Sequence, residues 1–129
     1  MTTRKILNVT RKIEALRSNN AQLEALILSY HLNYNLLKFL YNKLKVNRPD
    51  NSKLKLIITD IESQLEQNPE LKRILSKKNF KVAKFTLVKT ESILKALKSK
   101  LPANTSKLLL ENINANHLLS ISVNKAIRS

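Results

Sequence analysis

The chain contains no glycine in 129 residues, where average usage of about 7% would supply roughly nine. Glycine takes positive φ without steric cost, so it is the usual residue in tight turns, left-handed helix caps and phosphate-cradling loops. Its absence argues against the common catalytic architectures: no glycine-rich phosphate loop and no nucleophile elbow can be written from this sequence. Cysteine is also absent, which removes disulfides, thiolate metal ligands and thiol nucleophiles together. What remains is a chain rich in Leu, Ile, Lys and Asn, and its apolar residues recur at helical spacing.

The strongest periodic signal covers residues 4–46. Ile6, Val9, Ile13, Leu16, Asn20, Leu23, Ile27, Tyr30, Tyr34, Leu37, Tyr41 and Leu44 alternate spacings of three and four, the pattern of a heptad seam. This spacing predicts one long N-terminal helix, with Asn20 as the polar occupant of an a-type position. Two readings are open for it. One is an intermolecular coiled coil through residues 4–44, with Ile13, Leu16, Asn20, Leu23 and Ile27 as its partner seam. The other is a helix packed within its own bundle. The second is favoured because Leu28, Leu32, Leu36, Phe39 and Leu40 form another apolar set on the opposite side, as in a helix sandwiched inside a protein.

Further along, Pro49 with Asp50, Asn51 and Ser52 marks a break, and Asn51 or Ser52 is the expected cap of a helix burying Leu54, Ile57, Ile58, Ile61 and Leu65. Asn68-Pro69 reads as a cap followed by proline at the first helical position, opening a short helix with Leu71, Ile74 and Leu75. A turn is expected near Lys78-Asn79. Another helix then runs over 80–101 with Phe80, Ala83, Leu87, Leu94, Leu97 and Leu101, and Pro102 closes it. Asn104 or Thr105 caps a last helix carrying Leu109, Leu110, Ile113, Leu118, Ile121, Val123 and Ile127. The expected fold is all-α, a single-domain bundle of four or five helices over 1–129.

Charge carries the functional reading. Lys and Arg number 24 against 9 Asp and Glu, a net charge of +15. The surplus is concentrated in residues 71–129, where Glu91 and Glu111 are the only acids. At about 100° per residue, Lys77, Lys81, Lys84, Lys95 and Lys98 share one stripe, with Lys72, Arg73 and Lys78 just before it. With few acids nearby in sequence, these cations are expected to seek a counter-charge outside the chain. A row of lysines suits phosphates, which it contacts without reading bases. Phe85 falls on the same side and offers a surface on which a base can stack. Arg4, Lys5, Arg11, Lys12 and Arg17 form a second basic patch.

The chemistry-bearing alternatives are thin. His31 and His117 lie far apart, and Asp60, Glu62 and Glu66 form the one acidic cluster, read as a solvated face. No catalytic activity, metal or cofactor is expected, nor a small-molecule ligand. No apolar run approaches the ~20 residues of a membrane span. Residues 1–13 have the basic, acid-poor composition of a mitochondrial transit peptide, but they also read as the basic start of the long helix, the reading preferred here. The expectation is thus a non-catalytic, intracellular, basic helical protein. It would bind the backbone of RNA or DNA with protein partners, as a small subunit of a nucleoprotein complex. In size, charge and helicity alone it resembles the small helical subunits of RNA-guided CRISPR effector complexes, an analogy of kind.

Overall fold

The computed structural model describes residues 1–43, 53–96 and 105–128. They form six helices and no strand: α1 (Thr3–Ser18), α2 (Gln22–Lys43), α3 (Leu54–Gln67), α4 (Pro69–Ile74), α5 (Lys77–Ala96) and α6 (Thr105–Arg128). The all-α bundle is as expected from the sequence. The extra helix arises because the expected helix over 4–46 is two.

The chain turns at Asn19-Asn20. Asn20 has φ 59, the positive-φ residue of the described chain. The amide of Asn20 donates to the Arg17 carbonyl at 3.2 Å and that of Ala21 to the Leu16 carbonyl at 2.9 Å. These are the two bonds of a Schellman cap with Asn20 at the left-handed position. In a chain without glycine, asparagine is the residue that visits this region most readily. Asn20 is therefore exposed at a helix end, not buried at a coiled-coil seam. Ile13 is buried against the bundle, Leu16 and Leu23 are half-buried, and Ile27 is exposed. The seam residues are thus split between two helices, and the described part of the expected seam, residues 4–43, is not one rod.

The other boundaries have local causes. Thr2 caps α1, its hydroxyl accepting from the Lys5 amide at 3.2 Å. Asn68 ends α3 and caps α4, accepting from the amides of Glu70 and Leu71 at 3.0 and 3.2 Å, with Pro69 following it. The next turn falls at Leu75-Ser76, three residues before the expected site. Ser76 accepts from the Asn79 amide at 3.1 Å, so Lys78 and Asn79 lie inside the first turn of α5. α3 starts after Lys53; the expected caps Asn51, Ser52 and Asn104, and the helix-closing Pro102, lie outside the described residues, as do Leu44, Leu97, Lys98 and Leu101.

α2 is the central element, apolar on both sides as expected: Leu26, Leu32, Leu36, Leu37 and Leu40 are all buried. It contacts α6, α1, α3 and α5. α2 and α6 run side by side in the same direction. The Ser106 hydroxyl donates to Gln22 at 2.7 Å where both helices begin, and Asn33 meets Asn112 at their centres. α1 runs the opposite way along α6, its Thr3 hydroxyl donating to Asn124 at 3.0 Å. α5 is also antiparallel to α6, with Lys89 beside Glu111.

The α2–α6 contact is partly polar. Asn33, Asn112, Thr90 and Ser29 are fully buried and Asn116 nearly so. The Asn33 amide donates to the backbone carbonyl and Oδ1 of Asn112 at 3.0 and 3.2 Å, and its own Oδ1 accepts from Asn116 at 3.0 Å. Asn112 donates to Thr90 at 2.8 Å, which ties in α5. No buried side-chain nitrogen or oxygen among the described residues lacks a partner. This arrangement explains the face of α6: Asn112, Asn116 and Ser122 point inward with Leu108, Leu109, Leu119 and Val123, whereas Leu110, Ile121 and Ile127 are exposed.

Candidate nucleic-acid interface

On α5 the buried line runs through Phe80, Ala83, Thr86, Leu87 and Thr90. The opposite side carries Lys77, Lys78, Lys81, Phe85, Val88 and Lys95, all exposed. Of the stripe expected from the helical wheel, Lys77, Lys81 and Lys95 are exposed and Lys84 is half-buried, while Lys72 and Arg73 are exposed at the end of α4.

The stripe is not short of counter-charge, however. Lys77 pairs with Glu66 at 2.6 Å and Lys84 pairs with Glu62, both acids coming from α3. Lys89 meets Glu111 of α6 at 3.2 Å, and Lys95 meets Glu91 one turn back at 3.2 Å. The hydrogen bond and charge of Lys77 hold the Glu66 carboxyl below its ordinary range. The expectation that these lysines have no intramolecular partners is thus corrected at Lys77, Lys84 and Lys95. Counting acids along residues 71–129 misses those that α3 brings across from another part of the chain. Among the stripe residues, Lys72, Arg73, Lys78 and Lys81 make no ion pair with the described residues.

The acidic cluster is divided by the same packing. Asp60 is buried and accepts from the Tyr41 hydroxyl at 3.1 Å, while Glu62 and Glu66 face the lysines. Among the described residues no group of three or more His, Asp or Glu side chains has the spacing to hold a metal ion. Tyr30 donates to Glu91 at 3.1 Å; burial, then the Glu91 charge, raises its phenol well above the ordinary value.

The second basic patch has the cleaner electrostatics. Arg4, Lys5, Arg11 and Lys12 are exposed on α1 and make no ion pair among the described residues, whereas Arg17 lies 3.9 Å from Glu14. The first turn of α1 contains no acid to balance Arg4 and Lys5, the reverse of what the helix dipole prefers.

The two patches meet across α6, which separates two grooves. One is lined by Thr3, Leu7 and Thr10 of α1 with Ile113, His117 and Ser120 of α6. The other is lined by Lys81, Val82 and Phe85 of α5 with Glu111 and Asn114 of α6. The ridge between them carries Leu110, Ile121, Lys107, Lys125 and Arg128, all exposed. Arg4 and Arg11 stand one helical turn to either side of Leu7, so they border the first groove. The α1–α6–α5 face thus joins unpaired cations from three helices with exposed Leu7, Leu110, Ile121 and Phe85. The carboxylates lining its grooves are Glu14 and Glu111, each beside a cation. Sequence reasoning found the α5 and α1 members but not Lys107, Lys125 and Arg128; a helical wheel of α6 places Lys107 and Lys125 in one row. No helix of the described residues is long and apolar enough to cross a membrane. Comparison with protein-family models, curated proteins and solved structures found no match to this chain.

Proposed function

We propose that this chain is a non-catalytic, basic helical protein that docks through its α1–α6–α5 face on the phosphate backbone of a nucleic acid, as a small subunit of a larger nucleoprotein assembly. The observation that carries this reading is the state of the cations on that face. Arg4, Arg11, Lys78, Lys81, Lys107, Lys125 and Arg128 are exposed and make no ion pair among the described residues. Like charges gathered on one surface repel one another and destabilise the fold. A polyanion relieves that repulsion, and lysines and arginines on rigid helices meet phosphates without ordering a loop.

The acidic cluster of α3 is engaged within the fold: Asp60 with Tyr41, Glu62 and Glu66 with lysines. Exposed Leu7, Leu110 and Ile121 supply apolar area on the same face, suited to neighbouring protein subunits in such an assembly. The coiled-coil alternative draws less support, because the turn at Asn20 divides its seam and Ile13 is spent inside the bundle.

The test is equilibrium binding of the purified protein to labelled single- and double-stranded RNA and DNA across a salt series. The reading predicts log Kd rising linearly with log salt, each neutralised phosphate contributing about 0.7 to the slope on single strands and about 0.9 on duplex. Absence of binding to all four at low salt would overturn it.

A further inference from the structure

We infer that the groove between α5 and α6 takes an unpaired nucleobase stacked on Phe85, so that the nucleic acid held by this face is single-stranded. The inference rests on the backbone-binding reading above and adds the class of nucleic acid. Its starting point is Phe85, which at 65% has the highest exposure of the large apolar side chains described. Burying such a ring is favourable, and the bundle leaves it in water although α5 has a fully formed apolar side.

The ring is also held. Lys89, one turn along α5, has its ammonium 5.6 Å from the ring centroid, and that ammonium is fixed by both Glu111 oxygens at 3.2 and 3.4 Å. Ring, cation and the α6 carboxylate form a chain across the groove, so the aromatic surface is oriented before any ligand arrives. The groove has a volume of about 320 Å³. Val82 gives it an apolar wall, and Asn114 supplies a side-chain amide with both donor and acceptor. Lys81 lines the same groove without a carboxylate partner among the described residues, one turn before Phe85.

A flat apolar face, a group for a base edge and an adjacent unpaired cation match the three parts of a nucleotide. A duplex cannot use them together, because its bases are stacked on each other and present only their edges. A single strand can, since every base has a π-face and stacking on aromatic side chains tolerates any sequence. The cations without a carboxylate partner among the described residues, Lys81 in the groove and Lys78 two turns before Phe85, favour a polyanion over an apolar protein segment as the occupant.

The experiment compares a base-bearing oligomer, oligo(dT), with an abasic deoxyribose-phosphate oligomer of equal length and charge. The wild-type chain should bind oligo(dT) about 5- to 150-fold more tightly, the range expected from stacking one base. Phe85→Ala should lose that preference while keeping its affinity for the abasic oligomer. Phe85→Tyr should retain it. Because the chain has no tryptophan, the indole of Phe85→Trp is the sole tryptophan, excited selectively at wavelengths beyond tyrosine absorption, and its emission is expected to be quenched by oligo(dT) and not by the abasic strand. Equal affinity of the wild type for both oligomers would overturn the stacking inference and leave backbone binding standing. So would a Phe85→Ala variant that still prefers oligo(dT). Absence of binding to either oligomer at low salt would overturn both.

Discussion

Asn33 sits where the account makes its sharpest demand on the fold. It is fully buried in α2 and makes two bonds to Asn112 and accepts one from Asn116. Asn33→Ala removes all three. At about 1 kcal/mol net for each buried hydrogen bond, with Oδ1 of Asn112 left without its donor, the loss is about 3 kcal/mol. Unfolding entropy of about 2.1 cal/mol/K per residue makes each kcal/mol worth about 4 °C here, so Tm should fall by about 11 °C. Asn35, exposed on the same helix, is the control: Asn35→Ala should change stability by no more than about 0.5 kcal/mol. Thermal unfolding followed by circular dichroism, with urea unfolding to obtain the free energy, measures both. A double-mutant cycle between Asn33→Ala and Asn116→Ala should show coupling of at least about 0.5 kcal/mol. A Tm within about 3 °C of wild type for Asn33→Ala, or additive effects in the cycle, would refute the network.

Asn20→Gly should leave stability within about 0.5 kcal/mol, while Asn20→Val should cost about 1–2 kcal/mol because a β-branched residue must take positive φ; Asn20→Leu should leave the elution volume in size-exclusion chromatography unchanged, the opposite of what a coiled-coil seam requires. Glu66 should titrate by NMR below its ordinary 4.5, and Lys77→Met should raise it toward that value, the charge of Lys72 still acting on it; the depressed carboxyl means that the support from this pair is present above 4.5 and lost as pH falls through the folded value. Tyr30 should stay un-ionised in ultraviolet titration at pH values above the ordinary 10.0; since only the unfolded chain ionises Tyr30 near 10.0, stability should fall as pH rises above that value. Reversing Lys78 and Lys81 to Glu should lower the salt dependence of binding more than reversing Lys77 and Lys84, which already face Glu66 and Glu62.

Much of the fold was legible because its signals are local. Asn68-Pro69 marked the α3–α4 junction, and the apolar period of α3 named every apolar side chain it buries, though not Asp60, which was read as solvated and is buried against Tyr41. The turn after α1 was hidden because the three-and-four spacing continues across it: Leu16 and Leu23 keep their phase on either side of the cap. The readable sign was Ser18-Asn19-Asn20, weak helix formers in a chain with no glycine to end a helix. The buried face of α6 was obscured for another reason. Asn112 and Asn116 are inward because each finds partners on α2, and hydropathy ranks Leu110 and Ile121 above them although both face water. Charge failed in the same non-local way. Lys77 and Lys84 fell on the expected stripe, but the acids that neutralise them sit in a helix distant in sequence. The α1–α6–α5 face is a tertiary product, joining Arg11, Lys125 and Lys81 from three helices that no wheel relates.

The most direct measurement compares two charge reversals of equal size in different places. Lys81→Glu with Lys125→Glu alters the α1–α6–α5 face, whereas Lys38→Glu with Lys55→Glu alters α2 and α3, which contribute none of its cations. Both variants carry the same net charge, and both are titrated with one labelled single-stranded oligomer across a salt series. The account predicts that the first pair lowers the slope of log Kd against log salt by about 1.4, two lost phosphate contacts on a single strand, and that the second leaves it at the wild-type value. Equal weakening by both pairs would mean that net charge alone drives binding, and would contradict a dedicated face.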